Sequence, residues 1–366
     1  MAEITAKSKY ACPNCGAEAV WNPAKQSLVC SYCGTISPAK LSTDGSGIEE
    51  HDLVAALRKA GDSQRGWDAQ RVSVKCQSCQ AISVFPPDRV AQRCEFCGSA
   101  SLVPYEQIKA PIRPESLLPF KISEGQVRDS IHEWTRTRWF APNRFKNAAR
   151  TDTLHGVYLP YWTFDAQVHA EWTAESGYHY YETEWFTDSD GQRKTREVQR
   201  TRWEPSAGNV DHFFDDELVP ASRGTAPEML RKIEPFPTTQ DLLPYDAGYL
   251  AGWVVEQYQI DLAEAADRSH NLMQAEIEHR CAQEVPGDTH RNLQVDADFS
   301  AQTFKHVLVP IWLLTYTYGA QSFPVIVNGY TGSIAGRYPK SWIKITLLVL
   351  AILLVVIIVL SLSNHR

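Results

Sequence analysis

The sequence is poor in the features that announce catalysis or nucleic-acid handling. Among its 366 residues Asp and Glu outnumber Lys and Arg by 43 to 36, a net charge of −7. The chain as a whole therefore has no basic excess to draw it to phosphate or to an anionic lipid face. It contains no G-x-x-x-x-G-K-[ST] stretch; the nearest glycine-rich run, Gly332 to Arg337, fails at spacing and at lysine. That excludes a P-loop NTPase motor. Its eleven His form no H-E-x-x-H pair and no triad with a Ser elbow, which removes two common hydrolase signatures. Asp188-Ser189-Asp190-Gly191 starts like a calcium loop but lacks the later ligands, so a hairpin turn accounts for it. The opening residues MAEITAKSKY hold no apolar segment, so secretion is not expected. With 43% hydrophobic and 22% charged residues, no long disordered block is expected either.

What is present is cysteine in pairs. Eight of the nine Cys form four Cys-x-x-Cys knuckles: Cys12/Cys15, Cys30/Cys33, Cys76/Cys79 and Cys94/Cys97. Cys281 stands alone in a helical pattern. Within each set fourteen residues separate the knuckles, and the second set repeats the first at an offset of 64 without a gap. Val20-Trp21 aligns with Val84-Phe85, Pro23 with Pro87 and Gly34 with Gly98. Each set reads as knuckle, strand, turn, strand, knuckle, a hairpin that brings four thiolates together. Zn²⁺ takes four such soft ligands in a tetrahedron, so two structural zinc ions on the eight Cys are expected. The same donors would also suit an iron–sulfur cluster. With every ligand a Cys, neither site keeps an open position for water or substrate, which argues against hydrolysis at the metal.

The opposite end is greasy. Ile345 to Leu362 is eighteen residues without a charge, and a helix of that length spans roughly 27 Å, about one hydrocarbon core. Trp342 and Lys344 precede it as an interfacial aromatic and a snorkelling base. Arg337, Lys340 and Lys344 lie before the run and Arg366 after it. The apolar run predicts a single C-terminal anchor, and that bias, with reduced thiols, a cytoplasmic body.

Five segments follow: a first ribbon at 1–40, a helical connector at 41–70, a second ribbon at 71–105, an α+β domain at 106–340 and a membrane helix at 342–363. In the connector, Ile48, Leu53, Ala56, Leu57 and Ala60 share a helical face that ends at Gly61. In the large domain two stretches follow one plan. Ser123 with Gln126, and Asp261 with Glu264, are N-cap and N3 positions opening amphipathic helices. Each helix is followed by a Pro-x-Trp strand, around Pro160/Trp162 and Pro310/Trp312. The pattern predicts a duplicated, mostly antiparallel β–α–β domain. Tight turns are expected at Asp188 to Gln192 and, as type I′, at Asn328-Gly329.

Three further stretches have bland and sharp readings. The aromatic run Tyr178 to Phe186 reads as a strand with one face in the core, rather than as a platform for a base, sugar or lipid. Asp215-Asp216-Glu217, near Asp211 and His212, reads as loop or helix-start acids rather than a cation site. Residues 1–110 hold 12 Lys+Arg against 11 Asp+Glu, so the ribbons present no electrostatic footprint for nucleic acid. No catalytic or further cofactor-binding residues are expected.

In combination these motifs resemble a bacterial group of TFIIB-type zinc-ribbon membrane proteins, often labelled primosomal protein N′ (replication factor Y)-like. The resemblance runs through the two ribbons, LPYWTFDA, FFDDELVPAS, YLAGWVVEQYQIDLAEA, TFKHVLVPIWLLTYTY, VNGYTGSIAGRYPKSW and the final span, nearly the whole chain. It implies zinc at the eight Cys and a cytoplasmic body on the inner membrane. It also implies adaptor work beside flotillin-like (SPFH) and phage-shock membrane-stress proteins. The expectation is a non-enzymatic, membrane-anchored scaffold docking cytoplasmic or membrane-associated proteins through its ribbons, with residues 345–362 in the bilayer. The alternative is nucleic-acid binding linked to replication, without a helicase motor.

Overall fold

The computed structural model describes residues 11–37, 48–58, 72–78, 81–85, 94, 96, 99, 101–104, 114–143, 145, 154–187, 189, 191–318 and 321–364. The N-terminal unit is a small antiparallel sheet of β1 (Ala19–Asn22), β2 (Ser27–Cys30) and β3 (Ile36–Ser37). A bridging strand β4 (His51–Asp52) and a short helix α1 (Leu53–Arg58) follow. Next come β5 (Val72–Cys76), β6 (Ile82–Phe85), β7 (Leu102–Pro104) and β8 (Ser116–Leu117), then α2 (Glu124–Arg136). The body is completed by β9 (Leu154–Thr187), β10 (Arg193–Pro220), α3 (Pro227–Leu230), β11 (Leu243–Pro244), β12 (Val254–Glu256), α4 (Leu262–Glu284), β13 (Thr289–Tyr318), β14 (Gln321–Asn328) and β15 (Ile334–Gly336). The last element is α5 (Trp342–Asn364). The class is mixed α+β, as the sequence suggests.

Three strands of 34, 28 and 30 residues dominate. β9 is central, antiparallel to β10 on one side and to β13 on the other. Its burial changes along its length. From Val157 to Ala166 every residue is buried, with the sheet covered on both faces. From Val168 to Ala174 burial alternates, and the inward residues Val168, Ala170, Trp172 and Ala174 pack with Met273, Ile277 and Cys281 of α4. Past Gly177 the partner β13 ends, because its first residue Thr289 pairs there. Residues 178–187 and 193–202 continue as a two-stranded ribbon, about 30 Å long at ~3.3 Å per residue.

This overturns the core reading of the aromatic run. Tyr181 and Trp185 are 67% and 72% exposed, and Tyr180 and Phe186 are exposed as well. The alternation of residues is that of a strand, but among the described residues no third strand pairs with it and its aromatic side chains stay exposed. The ribbon is held instead by cross-strand ion pairs: Arg196 with Glu184 at 3.1 Å, and Arg200 with Glu182 at 3.0 Å and with Glu184.

Both expected helix starts are present. Ser123 and Gln126 form a capping box on α2, and Asp261 accepts from the Glu264 N–H at 2.9 Å on α4. The two Pro-x-Trp segments lie antiparallel, Pro160 opposite Leu308 and Pro310 opposite Tyr158. Their indoles reach across reciprocally. Trp162 donates to the Ile260 carbonyl at 2.9 Å, just before the α4 cap, and Trp312 donates to the Ile122 carbonyl at 3.0 Å, just before the α2 cap. Not all pairing is antiparallel: β12 joins β9, and β8 joins β13, in parallel.

The Asn328-Gly329 turn differs from expectation. Neither residue has a positive φ; Gly332 does, at 83°, so this is not a type I′ turn. Asn328 is fully buried, donates to the Ile233 carbonyl at 2.9 Å, and accepts from the N–H groups of Tyr330 and Thr331. Its side chain is committed to capping a wider loop. The connector helix starts at Leu53, with Ile48 outside it and Ala60 and Gly61 outside the described residues; of its face Leu53 is buried while Leu57 is exposed.

Candidate metal centre

The four N-terminal Cys converge. Cys12 and Cys33 Sγ atoms are 3.5 Å apart, those of Cys15 and Cys30 are 3.6 Å apart, and all four lie within 4.8 Å of one another. Four thiolates about 2.3 Å from one ion would sit about 3.8 Å from each other, so the set fits a tetrahedral metal.

Backbone geometry aims the sulfurs. Cys12 N–H donates to Ala17 O at 2.6 Å and Gly16 N–H to Cys12 O at 2.8 Å; Cys30 N–H donates to Thr35 O at 3.0 Å and Gly34 N–H to Cys30 O at 2.9 Å. Gly16 and Gly34 both hold φ at 72°, a left-handed turn that glycine adopts without steric cost. Thus the Gly after each knuckle is what lets the chain fold back over its own Cys.

The thiols differ in acidity. The Thr35 hydroxyl, 3.0 Å from Cys33 Sγ, and the Thr35 N–H bring the Cys33 thiol down to about 6. Burial opposes ionisation of Cys12, but the N–H groups of Cys15 and Asn14 outweigh it and lower its pKa. The N–H of Ala17 favours the Cys15 thiolate, yet crowding by Cys33, Cys30 and Cys12 pushes Cys15 up to about 12. Four charges this close cannot coexist without a cation between them. Thr35 and Asn14, whose amide lies 3.9 Å from Cys33 Sγ, were not singled out from the sequence. The hydroxyl after Cys-Gly could have been noticed, because Ser99 stands at the equivalent place 64 residues on.

Of the second set, Cys76 and Cys94 are described and buried, while Cys79 and Cys97 lie outside the described residues. The backbone repeats the first set nonetheless. Cys76 N–H donates to Ala81 O at 2.9 Å and Cys94 N–H to Ser99 O at 2.8 Å, the equivalents at +64 of the Cys12 and Cys30 bonds. The bridge Ala11 to Glu18 likewise matches the pair Lys75 to Ile82. The surroundings differ. The first unit docks its own small sheet on the body through Trp21, Ala19 and Leu28, in the core that holds Phe120 and Tyr158. The second is spliced into the main sheet, with β6 paired to β12 and β12 to β9. Cys76 and Cys94 belong to the core formed by the alternate β9 side chains Val157, Leu159 and Tyr161.

At the far end, Trp342–Leu360 is long and apolar enough to cross a membrane, and none of it is buried in the protein.

This chain is similar to one curated protein of matching length. It is 25% identical over 337 residues to the uncharacterized protein YdjG of Bacillus subtilis (strain 168), spanning 91% of this chain and 90% of that protein. No protein-family model matches the chain, and no solved structure does.

The remaining sequence candidates are placed as follows. Asp211 is exposed and accepts from or pairs with His169 at 2.7 Å on the open face of the sheet, while His212 projects from the opposite face and meets Phe214 edge-on. Strand alternation therefore separates Asp211 from His212. Asp216 is not a surface acid: it sits buried in a β-bulge at φ 57° and pairs with Lys305 at 2.8 Å. Cys281 is fully buried against the sheet, and burial pushes its thiol up.

Proposed function

We propose that the chain is a non-enzymatic, membrane-anchored scaffold carrying two structural zinc ions, one on Cys12, Cys15, Cys30 and Cys33 and one on Cys76, Cys79, Cys94 and Cys97. Its body faces the cytoplasm at the inner membrane, and its Cys units dock cytoplasmic or membrane-associated proteins, of which SPFH-type assemblies are one class. The observation that carries this reading is the convergence of four thiols within 4.8 Å, all on backbone knuckles. A closed thiolate set holds a fold together and leaves no coordination position for substrate. The exposed apolar helix at the other end supports the anchor. The resemblance to zinc-ribbon membrane proteins points the same way.

The test uses the full chain in detergent. Metal analysis should find two zinc ions per chain. A pull-down from solubilised membranes, comparing wild type with the Cys12→Ser/Cys76→Ser variant, should lose partners in the variant. An unchanged partner set, with metal lost, would remove docking through the Cys units. Binding of DNA at low salt that collapses steeply as salt rises would move the assignment to the nucleic-acid alternative.

A further inference from the structure

The first turn of α5 is fastened to the body. Lys344 Nζ donates to Trp139 O at 3.1 Å, Ala141 O at 2.8 Å and Asn143 Oδ1 at 3.1 Å. Ser341 N–H donates to Phe140 O at 2.7 Å. The loop that follows α2 is thus bound to the point where the apolar helix leaves the body. The loop is held from behind as well. Ala141 and Phe145 are fully buried, Phe145 packs edge-on to Trp134 at 6.5 Å, and Arg138 lies over the Trp134 and Tyr338 rings.

This anchoring leaves one large side chain outside. Trp139 is 73% exposed, close to the 80% of Trp342. In the two stretches of sequence that carry these indoles the charge is of one sign. Residues 134–143 and 337–344 contain Arg136, Arg138, Arg337, Lys340 and Lys344 and no acid, in a chain whose net charge is −7. Glu133, the acid just before the first of these stretches, lies 4.0 Å from Arg136. Exposed indoles settle at the headgroup level of a bilayer, and bases beside an apolar helix reach its phosphates. Lys344 belongs at that level by its place on the helix, and its ammonium is bonded to the Trp139 carbonyl.

We infer that the 138–143 loop is a second membrane contact, seating Trp139 beside Trp342 in the interfacial layer of an anionic phospholipid bilayer. The body is then held at a set tilt by two points rather than hung from one helix. This rests on α5 being a membrane span. The partner is lipid, because the patch is continuous with that span and its bases complement anionic headgroups.

The test reconstitutes the full chain in nanodiscs containing phosphatidylglycerol with brominated acyl chains. Quenching of tryptophan emission is compared among wild type, Trp139→Phe and Trp342→Phe. Both substitutions should lower the quenched fraction by similar amounts. Amides of residues 137–143 should exchange several-fold more slowly in anionic than in neutral discs. If only Trp342→Phe lowers quenching, the span stands and the second contact is wrong. If neither does and the chain fails to co-purify with discs, the span itself falls, and this inference with it. Exchange that is equal in both lipids overturns the anionic headgroup as ligand. A photoreactive residue placed at 139 should cross-link to lipid; an adduct with a protein chain would overturn the lipid assignment.

Discussion

The indole N–H of Trp21 donates to the backbone carbonyl of Phe120 at 3.3 Å, joining two residues 99 positions apart. Gln26 donates to the same carbonyl at 2.8 Å, Trp21 N–H reaches Ala251 O, and the Trp21 ring packs on Tyr249 at 4.8 Å. Trp21 lies between the two knuckles of the first Cys unit, so the unit meets the body through its hairpin. Trp21→Ala should cost about 3–5 kcal/mol at this interface. Hydrogen exchange in residues 19–30 should rise while α4 stays protected. Trp21→Phe should lose far less.

Metal removal should separate the two Cys units. The first closes a small sheet of its own, whereas β5 and β6 of the second continue the main sheet. Cys30→Ser should lower bound metal by about one ion per chain and loosen residues 11–37 with little change in the melting of the body. Cys94→Ser should also lose one ion, but should lower the body's melting temperature, because Cys94 lies in the core with Val157 and Leu159. Elemental analysis and calorimetry on the same samples check this.

Lys305 neutralises a buried acid. It pairs with Asp216 at 2.8 Å, with side chains 7% and 1% exposed, and reaches Glu50 at 3.2 Å. Asp165 accepts from the Asp216 N–H and the Thr303 hydroxyl, between two bulges that flank it in β10 and β13. Burial opposes the Lys305 charge, but Asp216 outweighs this and raises its pKa. Lys305→Met strands the acid and should cost about 3–5 kcal/mol in denaturant unfolding. Adding Asp216→Asn, which keeps the left-handed backbone acceptable, should recover most of it.

Glu256 should make stability fall as pH rises. It is fully buried, accepts from Ser222 at 2.6 Å and Gln259 at 2.9 Å, and burial pushes its carboxyl from 4.5 up to about 8. The native state therefore holds a proton that the unfolded state releases between these values. Its stabilisation is fully present below about pH 4.5 and is lost as pH climbs through 8, about 5 kcal/mol across the window. Glu256→Gln should flatten the profile of unfolding free energy between pH 5 and 8, and a variant as steep as wild type would place the dependence elsewhere.

Trp185→Ala and Tyr181→Ala should leave stability within about 0.5 kcal/mol of wild type, since both side chains are largely exposed. A core strand of the same composition would lose several kcal/mol. Thermal unfolding of the two variants decides between these.

That contrast shows where sequence reading works. The first Cys set, the backbone bonds of Cys76 and Cys94 in its +64 repeat, the caps at Ser123 and Asp261 and the apolar run at Trp342–Leu360 all lie in short windows, and each took the local form that its residues prescribe. The aromatic alternation at Tyr178–Phe186 also prescribes a strand, and a strand it is. What alternation does not carry is whether anything covers the faces. That depended on where β13 begins, more than a hundred residues later.

Local chemistry in the sequence by itself determined the first thiol cluster, the helix starts and the apolar helix, because knuckles, caps and apolar runs are closed over a few residues. Long-range pairing decided the rest. It set the coverage of β9, the splicing of the second Cys unit through β12, the burial of Asp216 against Lys305, and the seating of the Trp139 loop on Lys344. Register, burial and charge pairing between distant segments are properties of the assembled sheet, and no local pattern contains them.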